Sequence, residues 1–324
     1  VEQRLIPVNA VIALCTPGDL YPAPLAQAGY RLAGVEVPVL SGDGRVVIDC
    51  VAFRGDVNRA LIVEAKSGAN LDGTQATRYG LTQPDDVIRS ASITVTTAGT
   101  RVIQSLYVCL AEHAARVLLG LGKAGVEFPV LTVDEDRIVH SGAPFTDPDL
   151  QAAFAELMPV PGPPPRFIPF DDLSPDKEVD RFVLPGLVSA LSHQRPQISV
   201  PVLAEGVVRH LPLFGTAARQ RIVRKVDDSA RRLSGQDPSS FRYLPRTGTR
   251  HDAAVEFVRA PEGADRRGRT QSYQAIGRAA TRHGRMPRVP MPGEVALFDD
   301  VIGEMRQGDQ VAEDDDREQG DEGA

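Results

Sequence analysis

The sequence predicts an α/β protein, a mixed-sheet sandwich followed by a smaller α+β domain, and three observations lead there. Residues 35–40 (VEVPVL), 45–53 (RVVIDCVAF) and 60–65 (ALIVEA) are short apolar runs rich in β-branched residues, separated by turn residues. Residues 159–175 contain seven prolines, which no regular helix or central strand tolerates. Beyond them, three helical segments precede two short β-like runs.

In the first part, Ser41-Gly42-Asp43-Gly44 and Gly55-Asp56-Val57-Asn58 supply the turns of an antiparallel meander. A helix is predicted over 72–82, with Asp72 as its N-cap. Residues 102–111 (VIQSLYVCLA) read as a buried strand leading into a helix over 112–121, and 128–133 with 136–140 as a hairpin. The order β-β-β-α-β fits one mixed sheet. This places a first domain at 1–158 and a stiff proline-rich linker at 159–176. The second domain, 177–262, reads as helices over 181–193, 202–211 and 217–233, with Thr216 capping the last, then strands at 241–246 and 253–260 around Thr247-Gly248-Thr249. Residues 263–324 read as an arginine-rich segment and an acidic, disordered tail.

Charge is polarised along the chain. Residues 1–180 hold 14 basic and 23 acidic side chains, 181–290 hold 20 and 8, and 291–324 hold 2 and 12. A local basic excess of this size suits contact with phosphates. Only Lys66, Lys123, Lys177 and Lys225 are lysines among 36 basic residues, so a lysine beside two carboxylates carries added weight. Cys15, Cys50 and Cys109 have no Cys-x-x-Cys spacing, which argues against a disulfide framework or cysteine zinc site and predicts small buried hydrophobes. The six histidines show no metal-ligand spacing. No apolar run reaches the roughly 18 residues of a membrane span, and no signal-peptide pattern opens the chain, so the expectation is a cytoplasmic protein without membrane contact.

The chemistry concentrates in 46–79, VVIDCVAFRGDVNRALIVEAKSGANLDGTQATRY. Asp49 and Glu64 interrupt apolar strands, where a charge must be paired, metal-bound or at a strand end. Glu64 and Lys66 are two apart and emerge on one strand face, while Gln75 and Tyr79 are four apart and share a helix face. Two carboxylates and a lysine at the ends of paired strands are what metal-assisted phosphodiester hydrolysis needs. Mg²⁺ or Mn²⁺ would bind Asp49, Glu64 and the Ala65 carbonyl, and Lys66 would approach the attacking water or the scissile phosphate.

The stretch resembles the core of the PD-(D/E)xK nuclease superfamily, in particular the RecB-like branch that adds a Q-x-x-x-Y motif. The resemblance covers about residues 30–140 and implies a restriction-endonuclease-like fold and a metal-dependent endonuclease acting on DNA. It implies that Gln75 and Tyr79 border the active site and contact substrate. Ile48 stands where the family's motif has proline, and no histidine precedes Asp49 as an upstream ligand. Glu36 is the candidate accessory ligand, read first as an exposed strand residue. The cysteines of iron–sulfur members and a Walker A motif are absent from the sequence.

The second domain resembles a winged helix-turn-helix, with its third helix in the major groove and a hairpin on the backbone. Arg219, Arg221, Arg224 and Lys225 on that helix, with Arg246 and Arg250 on the hairpin, are its candidate DNA contacts. A nuclease joined to a DNA-reading module fits bacterial defence or restriction by analogy. Two other readings stay open: a non-catalytic DNA-binding or regulatory protein on a nuclease scaffold, and a subunit active only in a larger complex. A homodimer or a partner protein is compatible with each.

Overall fold

The computed structural model describes residues 3–42, 44–192, 195–238, 240–247 and 252–258. The expected disordered tail, His193, Arg250 and most of the Thr247-Gly248-Thr249 turn lie outside the described residues. The chain divides into two units, one of residues 1–173 with 208–223, the other of 174–207 with the residues from Arg224 onward.

The first unit is α/β. Its elements are α1 (Ile6–Leu14), α2 (Pro24–Gln27), β1 (Arg31–Ser41), β2 (Gly44–Arg54), β3 (Arg59–Lys66), α3 (Gly73–Leu81), α4 (Pro84–Ser90), β4 (Val102–Leu110), α5 (Ala114–Ala124), β5 (Pro129–Val133), β6 (Arg137–Gly142), α6 (Pro148–Ala153) and β7 (Met158–Pro159). The seven strands form one mixed sheet in sequence order. β3–β4 and β4–β5 pair in parallel and the other neighbours antiparallel. The two parallel steps sit where helices intervene, as crossover geometry requires.

One core cluster joins Val37, Ile48, Val51, Ile62 and Tyr107 of the sheet to Ala76 and Tyr79 of α3, Val87 of α4, and Val117 and Leu121 of α5. Asp72 caps α3 as expected, accepting from the amides of Thr74 (2.9 Å) and Gln75 (3.2 Å). α1 was not expected: its IPVNAVIAL sequence is apolar nearly all round, so it has no periodic signal, and seven of its nine residues are buried. Cys15, Cys50 and Cys109 are free and buried, as expected, and burial pushes the Cys15 thiol up to about 12.

The proline-rich stretch is a correction to the expected linker. Phe167, Ile168 and Phe170 lie between its prolines and are buried, so it packs within the first unit. Asn9 of α1, 2% exposed, anchors it. Its amide donates to the carbonyls of Leu5 and Ile168, both at 2.9 Å, and its side-chain oxygen accepts from the Ile168 amide at 2.7 Å. The boundary therefore falls between Leu173 and Ser174, with only the last of the seven prolines, Pro175, beyond it.

The second unit holds α7 (Asp176–Ser192), β8 (Gln197–Ser199), α8 (Val200–Val207), the end of α9 (Thr216–Gln236) from Arg224, β9 (Phe241–Leu244) and β10 (Ala254–Phe257). The expected hairpin pairs Phe241 with Phe257 and Leu244 with Ala254. The unexpected β8 adds to it, giving an antiparallel sheet in the order β8-β10-β9. Gly186 lets α7 meet α8, since a Cβ there would lie 2.8 Å from Leu203. Thr216 begins α9 rather than capping it. No helix among the described residues is long and apolar enough to cross a membrane.

Asn9→Ala leaves the buried amide and carbonyl of Ile168 without partners. It should lower unfolding free energy by about 2–3 kcal/mol, read as a lower urea midpoint with an unchanged slope.

Candidate active site

The β2–β3 ladder runs from Arg54↔Arg59 to Cys50↔Val63 and stops. The next pair in that register is Asp49 with Glu64, so the two carboxylates stand where the strands part. On β1, Val35 pairs with Cys50 and Val37 with Ile48, which sets Glu36 opposite Asp49.

The strands do not alternate regularly here. Residues two apart on a strand share a face, yet Val37 and Ile48 belong to the core cluster around Tyr79 while the fully buried Val35 and Cys50 do not. The alternation breaks at Glu36 and Asp49, and Glu36 takes φ +47°, a rare left-handed conformation for a residue with a side chain. The break turns the Asp49 carboxylate toward β3, where its Oδ2 accepts from the Ala65 amide at 2.7 Å. The amide and carbonyl of one strand residue point to the same side, so the Ala65 carbonyl faces the parting strands as well.

Glu64, 5% exposed, is the hub. Its Oε1 pairs with the Lys66 ammonium at 2.6 Å. Its Oε2 accepts from the Gln75 amide at 3.2 Å and from the Tyr79 hydroxyl. Gln75 also donates to the Tyr79 oxygen (2.9 Å), and its own oxygen accepts from Lys66 (3.4 Å). The Tyr79 hydroxyl lies 3.0 Å from the Val47 carbonyl, a second acceptor for its single proton, and the charged Glu64 oxygen is the stronger one. Tyr107, opposite Glu64 on β4, packs edge-on against Tyr79 (6.3 Å) and stacks on Phe128 (6.0 Å).

Asp49, Glu64, Lys66, Gln75 and Tyr79 thus come together. One expected role changes. Tyr79, expected as a substrate contact, is 3% exposed, and its hydroxyl donates inward to Glu64. Glu36 is half-buried rather than exposed and spends its carboxylate on Arg221, at 2.6 Å.

Electrostatically the pair of acids exceeds its cation by one charge. Burial, and then the Glu64 charge, push the Asp49 carboxyl well above its ordinary range, although the Ala65 amide and Lys66 pull it down. Among the described residues no group of three or more His, Cys, Asp or Glu side chains could hold a metal. A cation here would take two carboxylates, the Ala65 carbonyl and water. That donor set suits Mg²⁺ or Mn²⁺, hard ions that accept oxygen ligands and keep part of their water, and not a structural zinc.

The expected DNA-contacting cations are partly committed elsewhere. Arg221 also pairs with Asp172 at 3.3 Å, and Lys225 donates to the Ser174 carbonyl at 2.9 Å beside Asp176. Arg219 is half-buried, and Arg224 and Arg246 are exposed. The Val47 carbonyl, the packing role of Tyr107 and the Glu36–Arg221 pair were missed, because each depends on a backbone position or a distant partner that spacing does not encode. No protein-family model, no curated protein and no solved structure matches the chain.

A buried acid with a raised pKa stabilises the fold at low pH, and that contribution fades as pH rises from its unfolded value of about 4 through its folded one. The protein in EDTA should therefore lose stability over this window, and Asp49→Asn should flatten the loss and raise the melting temperature at pH 8 by a few degrees. Thermal melts of both proteins across pH 4–8 check this.

Proposed function

We propose that the first unit is a metal-dependent nuclease that hydrolyses phosphodiester bonds in DNA. The observation that carries the reading is the meeting of two buried carboxylates and one lysine where β2 and β3 part. The order β1-β2-β3-α3-β4 on a mixed sheet agrees with the PD-(D/E)xK resemblance.

Asp49, Glu64 and the Ala65 carbonyl would hold Mg²⁺ or Mn²⁺. When bound, the cation supplies charge for the phosphate oxygens and a more acidic water. Asp49 is already fixed for this by the Ala65 amide, and Glu64 by Gln75 and Tyr79. Lys66 sits on the same strand face as Glu64. From there its ammonium, which pairs with Glu64 at 2.6 Å, would serve the attacking water or the scissile phosphate by stabilising growing negative charge. Gln75 contacts both Glu64 and Lys66, so it orients the pair.

The second unit supports a DNA-binding role. Its helix, short strand, two helices and two strands, with the last strand central in the sheet, fit a winged helix. Arg224 and Arg246 are its exposed candidates for phosphate contact. A place in bacterial defence, or in a complex with a partner protein, is an analogy drawn from this pairing of modules.

A second reading, a DNA-binding protein on a nuclease scaffold that no longer cuts, draws on the Glu64–Lys66 pair, in which each charge already has a partner without a cation.

Incubation with supercoiled plasmid and single-stranded DNA in Mg²⁺, Mn²⁺ or EDTA decides between the two. The nuclease should cut only with metal and lose about 10²–10³-fold in rate in Lys66→Ala and Glu64→Gln, the order of magnitude for removing an electrostatic stabiliser. Intact DNA in every arm, with binding retained, establishes the second reading.

Tyr79→Phe keeps the ring but removes the proton donated to Glu64. It should lower kcat about 10–100-fold, the usual cost of losing a ligand's hydrogen-bond partner, with little change in KM. An equal loss in DNA affinity would show instead that Tyr79 meets the substrate.

A further inference from the structure

Glu64 stands between two neighbours on the sheet. Asp49 of β2 is the next pair in its register, and Tyr107 of β4 is paired with it directly. Side chains of paired residues on neighbouring strands project to the same face. The Tyr107 ring therefore rises beside the Glu64 carboxylate, on the side of the sheet that carries α3. It is firmly held there: Tyr79 meets it edge-on, Phe128 stacks on it, and Val117 and Leu121 of α5 share its cluster. Tyr107 is 1% exposed.

Packing accounts for the ring but not for the hydroxyl. Its oxygen is buried and has no hydrogen-bond partner among the described residues. A buried hydroxyl without a partner forfeits the hydrogen bonds it makes in water, and a phenylalanine would fill the same space without that loss. Tyr21 shares the condition, but burial alone acts on its phenol. At Tyr107, burial and then the charges of Glu64, Asp49 and Asp72 push the phenol above its ordinary range, so it keeps its proton and can donate. The acids beside it have acceptor capacity left. Among the described residues Glu64 Oε1 meets Lys66 alone, and Asp49 uses Oδ2 for the Ala65 amide.

We propose that Tyr107 is a positioning residue for the candidate site: its hydroxyl donates to a buried water, and that water donates to Glu64. The rings packed around Tyr107 keep the phenol from swinging to a carboxylate, so its partner must come to it. Water is small enough for that depth, and a donor on one side with a charged acceptor on the other gives it the polar neighbours it needs. Glu64 is then held from two directions, by Tyr79 on α3 and through the water by Tyr107 on β4. A carboxylate fixed in this way is oriented before any cation arrives, which is how partners of a ligand raise metal affinity. The inference deepens the nuclease reading and rests on it for what the held carboxylate would bind.

A high-resolution crystal structure of the metal-free full chain should show a water within hydrogen-bond distance of both the Tyr107 hydroxyl and a Glu64 oxygen. Density that leaves the hydroxyl without a neighbour overturns the proposal. Thermal melts in EDTA at pH 8 test the coupling, with Tyr107→Phe, Glu64→Gln and the double variant compared as a cycle. Tyr107→Phe keeps the ring contacts. It should lower the melting temperature by a few degrees in the unaltered background and by much less in the Glu64→Gln background. An equal shift in both backgrounds, in either direction, marks a hydroxyl that does not act on Glu64 and overturns the proposal. Calorimetric titration with Mn²⁺ should give about 10-fold weaker affinity in Tyr107→Phe, and equal affinity in the two proteins overturns it as well. Plasmid cleavage is scored separately, since the crystal structure and the melts need neither metal nor DNA. Coupled melts in a protein that neither binds Mn²⁺ nor cuts sink the nuclease reading alone, and cleavage beside additive melts sinks the Tyr107 role alone.

Discussion

The first unit is organised around a carboxylate that the sheet cannot leave alone. Glu64 is carried inward on β3 by the same alternation that buries Ile62, and a charge at that depth must be answered at each oxygen. Lys66, Gln75 and Tyr79 answer it, and their positions determine much else. Asp72 starts α3 so that Gln75 and Tyr79 face the sheet. The ring of Tyr107, itself stacked on Phe128, then packs Tyr79 in place. Packing and chemistry share one set of atoms, so a change that loosens the helix also disturbs the charges.

Asp49 reaches the same place by a different device. Regular strands would have kept 35, 37, 48 and 50 in a single register of faces, and the break at Glu36 and Asp49 prevents it. Glu36 takes a conformation that costs about 1–3 kcal/mol for a residue with a Cβ, and its pairing with Arg221 offsets part of that. The Gly215 amide donates to the Val35 carbonyl at 2.9 Å next to this point, and a side chain at 215 would lie 2.4 Å from the Glu36 carbonyl oxygen. The segment around 214–221 thus braces the irregular stretch of β1.

The parts legible in the sequence are those with a local signature. Apolar, β-branched runs bounded by turn residues located β1 to β4, and the spacings 64/66 and 75/79 put the right side chains on the right faces. The parts that were not legible have physical reasons. α1 is apolar throughout, so nothing distinguishes its faces. β8 is three residues long, too short for alternation to show. Prolines signalled an extended segment at 159–175, but the aromatic residues between them decided that it packs. A left-handed backbone is signalled by glycine or asparagine, and Glu36 gives no such sign. The inward hydroxyl of Tyr79 depends on the depth of α3, which no local pattern records.

The Glu64–Lys66 ion pair has a thermodynamic consequence. In the nuclease reading, a cation and Lys66 would share one carboxylate, that of Glu64, and a phosphate that drew Lys66 away would favour the cation. Linkage then requires reciprocity: by whatever factor DNA raises affinity for the cation, the cation raises affinity for DNA. The resting protein would hold neither tightly, and the two would arrive as a cooperative pair. A chain with such an arrangement carries its own safeguard, because an ion or a nucleic acid alone meets a Glu64 and a Lys66 that already answer each other.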